Sequence, residues 1–337
     1  MKILLVGDFP PPNGGVATHV EELFRAVRAR GGECAVLDIG KGQLPADGVV
    51  PAGGVARFVA LLAWYAARGY RIHLHSNGAN PKSWALAAAC ATAGRGSAMV
   101  TFHSGMGPPW LAGSPARRAV ARAVASRFAM VVAVSRQIRD CLVACGVDAR
   151  RIEIVPAFSR EFLQPGAPPA GLAELRARAA PLYCAMLAPP EIYGRDVLLQ
   201  AFARVRVRLP AAGLTLYGAG TETISAPGVH AFGQLHRPSA LALMASSDVF
   251  VRPTLADGDS VSVREALALG RAVVATSVGH RPPEVRLVQP GDAADLARGM
   301  IEAASAPRPA AAAADDPMQR VLALYGWETP CAASAAS

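Results

Sequence analysis

Lysine is almost missing from this chain: three of its 34 basic residues are Lys and the rest are Arg. Long apolar runs are missing as well. The longest, FVALLAWYAA at residues 58–67, covers ten residues between Arg57 and Arg68. A bilayer-crossing helix needs roughly 20, so no transmembrane segment is expected. The apolar run before Gly7 is only four residues long, which reads as a buried first strand and not as a secretory signal. The six cysteines are scattered, with no C-x-x-C and no zinc-ligand spacing. Cys141 and Cys145 stand four apart on an expected helix and read as packing, and the chain reads as a reduced, cytoplasmic protein. No G-x-G-x-x-G follows the first strand, which speaks against a nicotinamide enzyme. The basic residues are dispersed and lack an aromatic-interleaved platform, so nucleic acid is not an expected partner.

What the chain does have is length, apolar content and an uneven charge. Its 337 residues exceed one compact core, and 52% apolar composition suffices for two buried sheets. Residues 1–166 carry 19 basic and 10 acidic side chains, while residues 167–337 carry 15 of each, so the whole net charge of +9 sits in the first half. Such asymmetry points to an anionic partner for that half, either a membrane surface or a lipid-phosphate acceptor.

Short apolar strands alternate with helical stretches throughout. KILLVGDF, ECAVLDIG, YRIHLHS, AMVTFHSG, MVVAVS and RIEIVP are the strands expected in the first half, with amphipathic helices between them. After the Pro/Gly-rich stretch SREFLQPGAPPAGLAEL the alternation restarts with PLYCAMLA, GLTLYGAG, GVHAFGQL, DVFVRPT and RAVVATSV. Continuous apolar strands alternating with helices predict parallel sheets covered on both faces. The fold class is therefore α/β, two doubly wound Rossmann-like domains facing across a cleft, with the site at the carboxyl ends of the strands.

The polar features fall just after strands. Gly14-Gly15 precedes the first helix, where open backbone N–H groups cradle a phosphate or simply make a tight turn. His103 ends AMVTFHS and is either structural or functional. Gly218 and Gly220 form a lone G-x-G. In LADGDSVSVREALALG, Asp257-Gly258-Asp259 reads either as a metal-binding carboxylate pair or as part of a sugar-nucleotide site. Ser260 or Ser262 can cap the following helix, and Glu265 in its first turns can accept two hydrogen bonds from a ribose diol.

From Met1 to about Glu328 the chain resembles the retaining family four of GT-B glycosyltransferases. The resemblance is carried by FPPPNGGVATHV, YRIHLHS, TFHSG, VVAVSRQIRDCLVACGVDARRIEIVP, GRDVLLQAF, LTLYGAG and SSDVFVRPTLADGDSVSVREALALGRAVVATSVGHRPPEV. The last stretch matches the family's E-x7-E signature with Asp257 and Glu265 at its ends. The resemblance implies a nucleoside-diphosphate sugar donor, a saccharide or lipid-linked hydroxyl acceptor, polysaccharide or glycolipid assembly, and no cofactor or metal. It implies that Asp257 holds donor-sugar hydroxyls and Glu265 the ribose, and that the backbone of Asp259, Ser260 and Val261 holds the diphosphate. Gly15 and Gly218 join the donor site, His103 lies beside the transferred sugar, and Gly233, Gln234 and Leu235 line the base. Residues 1–160 become the acceptor-side domain, 161–178 a linker, 179–305 the nucleotide-sugar domain, and 306–337 an Ala/Pro-rich tail with a short terminal helix. That helix is expected to begin near YGWE. A peripheral position at the cytoplasmic face of a membrane follows from the charge.

Two departures stand out. Relatives carry an Arg and a Lys after the first strand of the second domain, both on the diphosphate, whereas Met186 and Tyr193 occupy those places here. Arg195 and Arg252 are the candidate replacements. A GT-B protein that binds a nucleotide or sugar without catalysis is the alternative these departures raise. An epimerase or phosphorylase on the same fold is a further one.

Overall fold

A computed structural model describes residues 1–11, 14–42, 44–188, 190–307 and 316–327. The chain forms two compact units: Met1–Ser159 together with a C-terminal helix, and the stretch from Arg160 to the last helix before it.

The first unit contains the strands β1 (Lys2–Gly7), β2 (Glu33–Asp38), β3 (Val49–Pro51), β4 (Arg71–Ser76), β5 (Met99–Phe102), β6 (Met130–Ala133) and β7 (Ile152–Ile154). They pair in the order β3-β2-β1-β4-β5-β6-β7, every pair parallel. Its helices are α1 (Gly15–Ala29), α2 (Val55–Ala67), α3 (Pro81–Ala93), α4 (Gly107–Ala112), α5 (Pro115–Ala125) and α6 (Arg136–Ala144). Both faces of the sheet are covered, so Ile3, Leu4, Leu5 and Val6 are all fully buried, which is why the strands read as unbroken apolar runs. Local signals set the helix starts. Asn80 and Ser83 form a reciprocal capping box ahead of Pro81, and Ser135 Oγ accepts from Ile138 N. Phe58, Leu62 and Tyr65 form the buried seam of α2 at the spacing a single helical face requires.

The second unit contains α7 (Leu172–Arg178), β8 (Leu182–Met186), α8 (Pro190–Tyr193), α9 (Arg195–Arg208), β9 (Gly213–Tyr217), β10 (Val229–Ala231), α10 (Arg237–Ser246), β11 (Val249–Arg252), α11 (Val261–Ala268), β12 (Ala272–Thr276), β13 (Arg286–Val288) and α12 (Ala293–Ser305). Its all-parallel sheet runs β10-β9-β8-β11-β12-β13. Strand order reverses between β1 and β4 in the first unit and between β8 and β11 in the second. In open parallel sheets these reversals mark the ligand crevice.

The structure differs from the sequence-based expectation in two places. Residues 161–178, expected as a linker, include α7. Leu172 and Leu175 of α7 are buried in the core of the second unit, and Arg176 makes a bidentate ion pair with Asp248 at 2.6 and 2.8 Å. The two leucines were masked by the surrounding Pro and Gly. The terminal helix, expected near YGWE, is α13 (Pro317–Tyr325), and it ends where that motif begins. It belongs to the first unit, where Leu324 O accepts from Arg71 Nη1 at 3.1 Å and Asp316 Oδ2 accepts from Ser159 Oγ at 3.0 Å. Glu328 and most of the expected Ala/Pro-rich tail lie outside the described residues. Among the described residues no helix is long and apolar enough to cross a membrane.

Candidate active site

In the second unit the reversal places the ends of β8 and β11 side by side, because Val251 pairs with Ala185. Met186 and Arg252 are the next residues on each strand, and Arg252 Nη1 lies 3.6 Å from Met186 Sδ. The Arg252 guanidinium stacks on the Tyr193 ring, 4.6 Å from its centroid, a favourable cation–π arrangement for a planar cation. The two departures from the family pattern thus form the walls that hold Arg252. Beyond it, Asp257 Oδ2 accepts from Arg252 Nε at 3.1 Å, from Arg281 Nη2 at 3.0 Å and from Thr254 Oγ1 at 3.3 Å. Asp257 Oδ1 accepts from Gly258 N at 3.0 Å. Side-chain exposures are 8% for Arg252, 2% for Arg281 and 12% for Asp257. Two nearly buried guanidiniums therefore share one carboxylate. Burial pushes the Asp257 carboxyl up, but Arg252 and Arg281 together hold it below its ordinary value. Arg281 is lowered, by burial first, with Arg252 adding to the shift and Asp257 opposing it.

The loop carrying Asp257 is pinned from behind. Gly279, at φ 69°, packs against the Asp257–Gly258 backbone, where a Cβ would collide with the Gly258 carbonyl. His280 N donates to Gly258 O at 2.7 Å. Asp259 leaves the cluster: both its oxygens accept from Arg264 Nε, at 2.9 and 2.8 Å. The two carboxylates of Asp257-Gly258-Asp259 are thus spent on different arginines, and among the described residues no group of three or more potential ligands is placed to hold a metal ion. Ser260 is the N-cap of α11, but its side chain makes no capping hydrogen bond. Ser260 Oγ and Ser262 Oγ bond to each other at 3.1 Å instead. The first backbone N–H groups of α11, Val261 among them, therefore carry the partial positive charge of an open helix start. Glu265 is buried and pairs with Arg237, whose Nε and Nη2 both donate to Oε1 at 3.1 and 2.9 Å. Its pKa is raised, by burial first, with Arg237 opposing.

The loops after β8, β9 and β10 are stitched together. Leu187 N donates to Tyr217 O and Gly218 N to Gly233 O. Gly218, at φ 119°, lies so close to the Leu187 carbonyl that no Cβ fits. Gln234 is exposed and Leu235 half-buried beside Gly233. Arg195, the other candidate cation, is 42% exposed and pairs with its neighbour Asp196. It takes no part in the Asp257 cluster.

In the first unit Gly14 is the N-cap of α1 and Gly15 its first residue, again without a side-chain cap. His103 follows β5, is half-buried, and its Nε2 lies 3.1 Å from His75 Nδ1. His73 and His75 project from β4 on the face that α1 covers with His19. His73 bonds Thr101 Oγ1 at 2.8 Å through Nε2 and the Tyr325 hydroxyl of α13 through Nδ1. Burial lowers His19 to about 4 and His73 to about 3, and pushes His75 and His103 well below their ordinary value.

The second unit thus gathers Asp257, Arg252, Glu265 and the 259–261 backbone at one end of its sheet. Sequence reasoning missed Arg281, Arg237 and Arg264, and it missed the histidine row behind His103. The available signals were an Arg in the loop after β12 and the H-x-H alternation of YRIHLHS.

Comparison with known proteins agrees with this architecture. Residues 13–158 match the family model described as Glycosyltransferase Family 4, and residues 180–306 match Glycosyl transferases group 1. An MMP alpha-(1->4)-mannosyltransferase of Mycolicibacterium hassiacum is 29% identical over 149 residues. That match takes in 42% of this chain and 35% of the relative, about a third of its length. HepE from Anabaena, solved with UDP-glucose, superposes with a TM-score of 0.65 at 19% identity over 90% of this chain and 89% of its own. Sucrose-phosphate synthase from Thermosynechococcus elongatus gives 0.64 at 18% identity, covering 96% and 95%. With one model on each unit and the GT-B fold throughout, the chain belongs to the group 1, family four glycosyltransferases.

Proposed function

We propose that this protein transfers a sugar from a nucleoside-diphosphate sugar to a hydroxyl acceptor with retention of anomeric configuration, and that Arg252 and Arg281 hold the diphosphate. The observation that carries this reading is the excess of one positive charge among three nearly buried groups, Arg252, Arg281 and Asp257. A buried guanidinium without a full counter-ion is costly, and a diphosphate beside the open start of α11 supplies that charge. As the acceptor oxygen bonds to the anomeric carbon, the carbon–oxygen bond to the diphosphate breaks. The leaving phosphate takes the acceptor's proton, and the two guanidiniums stabilise the charge that develops on it. In this reading the guanidiniums do the work a metal does elsewhere, Asp257 is their counter-ion, and Glu265 Oε2 accepts from the ribose diol while Arg237 fixes Oε1. His103 sits beside the transferred sugar. In this reading Arg252 takes the place of the missing cations, and Met186 and Tyr193 are the groups that hold it.

The test is thermal stabilisation by UDP, GDP, ADP, dTDP, CMP and inorganic pyrophosphate, in chelator and then with manganese. A ligand at 100 times its Kd adds about 2.7 kcal/mol. A nucleoside diphosphate that stabilises in chelator is the expected result. A shift that appears only with manganese overturns the metal-free reading, and no shift at all overturns the donor site. UDP-glucose, the ligand of HepE, and mannosyl donors, matching the Mycolicibacterium relative, are the first sugars to assay. The turnover product's anomeric configuration, read by proton NMR, checks retention.

The same proposal places the basic unit against an anionic membrane surface. Residues 48–139 contain eleven Lys and Arg and no Asp or Glu. Within them α2 exposes Val55, Val59 and Trp64, flanked by Arg57 and Arg68, and α3 packs against both α2 and α5. An apolar stripe with a basic border is the pattern of a helix lying at a lipid interface. Co-sedimentation with phosphatidylglycerol vesicles, lost on raising salt and absent with phosphatidylcholine, is expected. Equal binding to both, or none, refutes it.

A further inference from the structure

Four of the seven histidines, His19, His73, His75 and His103, lie ring against ring on one face of the first sheet. Their arrangement follows from the fold. His73 and His75 alternate on β4, Thr101 pairs with His75 in register, and His103 follows two residues later on the same side. Gly7, on the neighbouring β1, leaves room for the His75 side chain, whose Cβ a Cβ at position 7 would meet at 3.1 Å.

The hydrogen-bond inventory of this row constrains where its protons sit. The contact between His75 Nδ1 and His103 Nε2, at 3.1 Å, contains one proton. His75 Nε2 and His19 Nδ1 are buried and find no hydrogen-bond partner among the described residues. If the shared proton belonged to His103, neutral His75 would carry its own proton on Nε2, leaving an N–H buried without an acceptor. Orphaned buried N–H groups are rare in folded proteins, rarer than under-satisfied acceptors. If the proton belongs to His75 Nδ1, the bare Nε2 faces the interior and no donor is stranded. His103 Nε2 is then the acceptor, and the single proton of His103 must be on Nδ1.

We propose that His75 is a positioning residue: it donates Nδ1–H to His103 Nε2 and so fixes His103 as the Nδ1–H tautomer, a neutral hydrogen-bond donor. This rests on the proposed place of His103 beside the transferred sugar, where a donor, and not an acceptor, would be offered to a sugar oxygen. The second ring nitrogen sets what the first presents, as it does for metal-bound and catalytic histidines.

The test is the long-range proton–nitrogen NMR spectrum of the full chain labelled with nitrogen-15 at histidine. The wild type is expected to show His103 protonated at Nδ1 and bare at Nε2. His75→Asn keeps an N–H donor near the Nδ1 position and should preserve that pattern. His75→Leu, which fills the space without a donor, should release His103 to the Nε2–H form that imidazole prefers in water. In turnover, His75→Leu should lower kcat about tenfold, the worth of one lost neutral hydrogen bond, with donor KM little changed, and His75→Asn should restore it. An Nε2–H pattern for His103 in the wild type overturns the proposal, and this reading needs no variant to fold. An unchanged His103 tautomer in His75→Leu also overturns it. A chain that shows the expected tautomers but transfers no sugar refutes the proposed function and leaves the positioning intact.

Discussion

Replacing Asp257 with Asn separates a counter-ion for two arginines from a ligand of sugar hydroxyls. Asp257 Oδ2 is the acceptor for Arg252 Nε at 3.1 Å and Arg281 Nη2 at 3.0 Å, and the Asn amide would turn an N–H₂ or a neutral oxygen to both. Removing one partner of a buried ion pair costs about 3–5 kcal/mol, because the remaining charge is stranded, and here two are. The free variant should lose about that much in urea denaturation. A phosphate charge on the same guanidiniums, within ~6 Å of the carboxylate, is repelled by it by about 3 kcal/mol at an effective dielectric constant of ~20. Deleting the carboxylate should therefore tighten pyrophosphate binding, by roughly ten- to a hundredfold once relaxation is allowed for. The assay is urea unfolding with and without pyrophosphate. Asp257→Asn should be the less stable protein alone and the one more strongly stabilised by the ligand, and a variant that folds only with pyrophosphate meets the same expectation. Equal stability to the wild type, or equal stabilisation of both by pyrophosphate, would refute the charge excess. If instead pyrophosphate binds equally while the intact donor binds more weakly, Asp257 holds the sugar.

Two further outcomes follow from the same geometry. Arg281→Met should weaken pyrophosphate binding by about 1.5–3 kcal/mol, the worth of a hydrogen bond to a charged group. Because Asp257 keeps Arg252, unliganded stability should fall less than in Asp257→Asn, through the lost bonds to Thr276 O and Thr254 Oγ1; isothermal titration together with urea midpoints checks both. Acid should weaken the first unit selectively. His19 is lowered from 6.5 to about 4 by burial, so its contribution is complete above pH 6.5 and is lost as pH falls through 6.5 towards 4. The loss from His19 alone is about 2 kcal/mol between pH 7 and 5, and His19→Gln should flatten that slope in urea midpoints.

The sheets were the most legible part of the sequence, because strands buried on both faces leave unbroken apolar runs and helices between them leave a 3.6-residue period. β3 and β13 were not legible: Val49–Pro51 and Arg286–Val288 are three residues long and were not read as strands, whereas β7 and β10, equally short, were read within RIEIVP and GVHAFGQL. The helix α7 was hidden for a different reason, since its two core leucines sit among prolines and glycines that signal a loop. At the site, the stretch from Asp257 to Glu265 announced itself through its spacing and its place after a strand. The arginines that neutralise it did not. Arg237, Arg264 and Arg281 come from α10, α11 and the loop after β12, and in an Arg-rich chain one more Arg carries no signal until the fold brings it to a carboxylate. His75 was hidden inside a strand, where a histidine reads as one more buried side chain.

If Arg252 replaces the family's Arg and Lys, as proposed above, a parallel sheet lets a charge change strands. Met186 and Arg252 end adjacent strands, so a cation leaving the loop after β8 can be replaced from the end of β11 without leaving the ligand end of the sheet. In that reading its neighbours are a polarisable sulfur at 186 and an aromatic face at 193, both of which touch Arg252. If position is interchangeable in this way, restoring the family residue should compensate. Arg252→Met should weaken pyrophosphate binding by about tenfold or more. Adding Tyr193→Lys to that variant should recover most of the loss, since the new ammonium rises beside the vacated site. Tyr193→Lys alone should do the opposite to the free protein, lowering its stability by placing a third cation beside a single carboxylate. A cycle in which the two substitutions simply add would mean that Arg252 serves only to hold Asp257, and that the diphosphate is bound elsewhere.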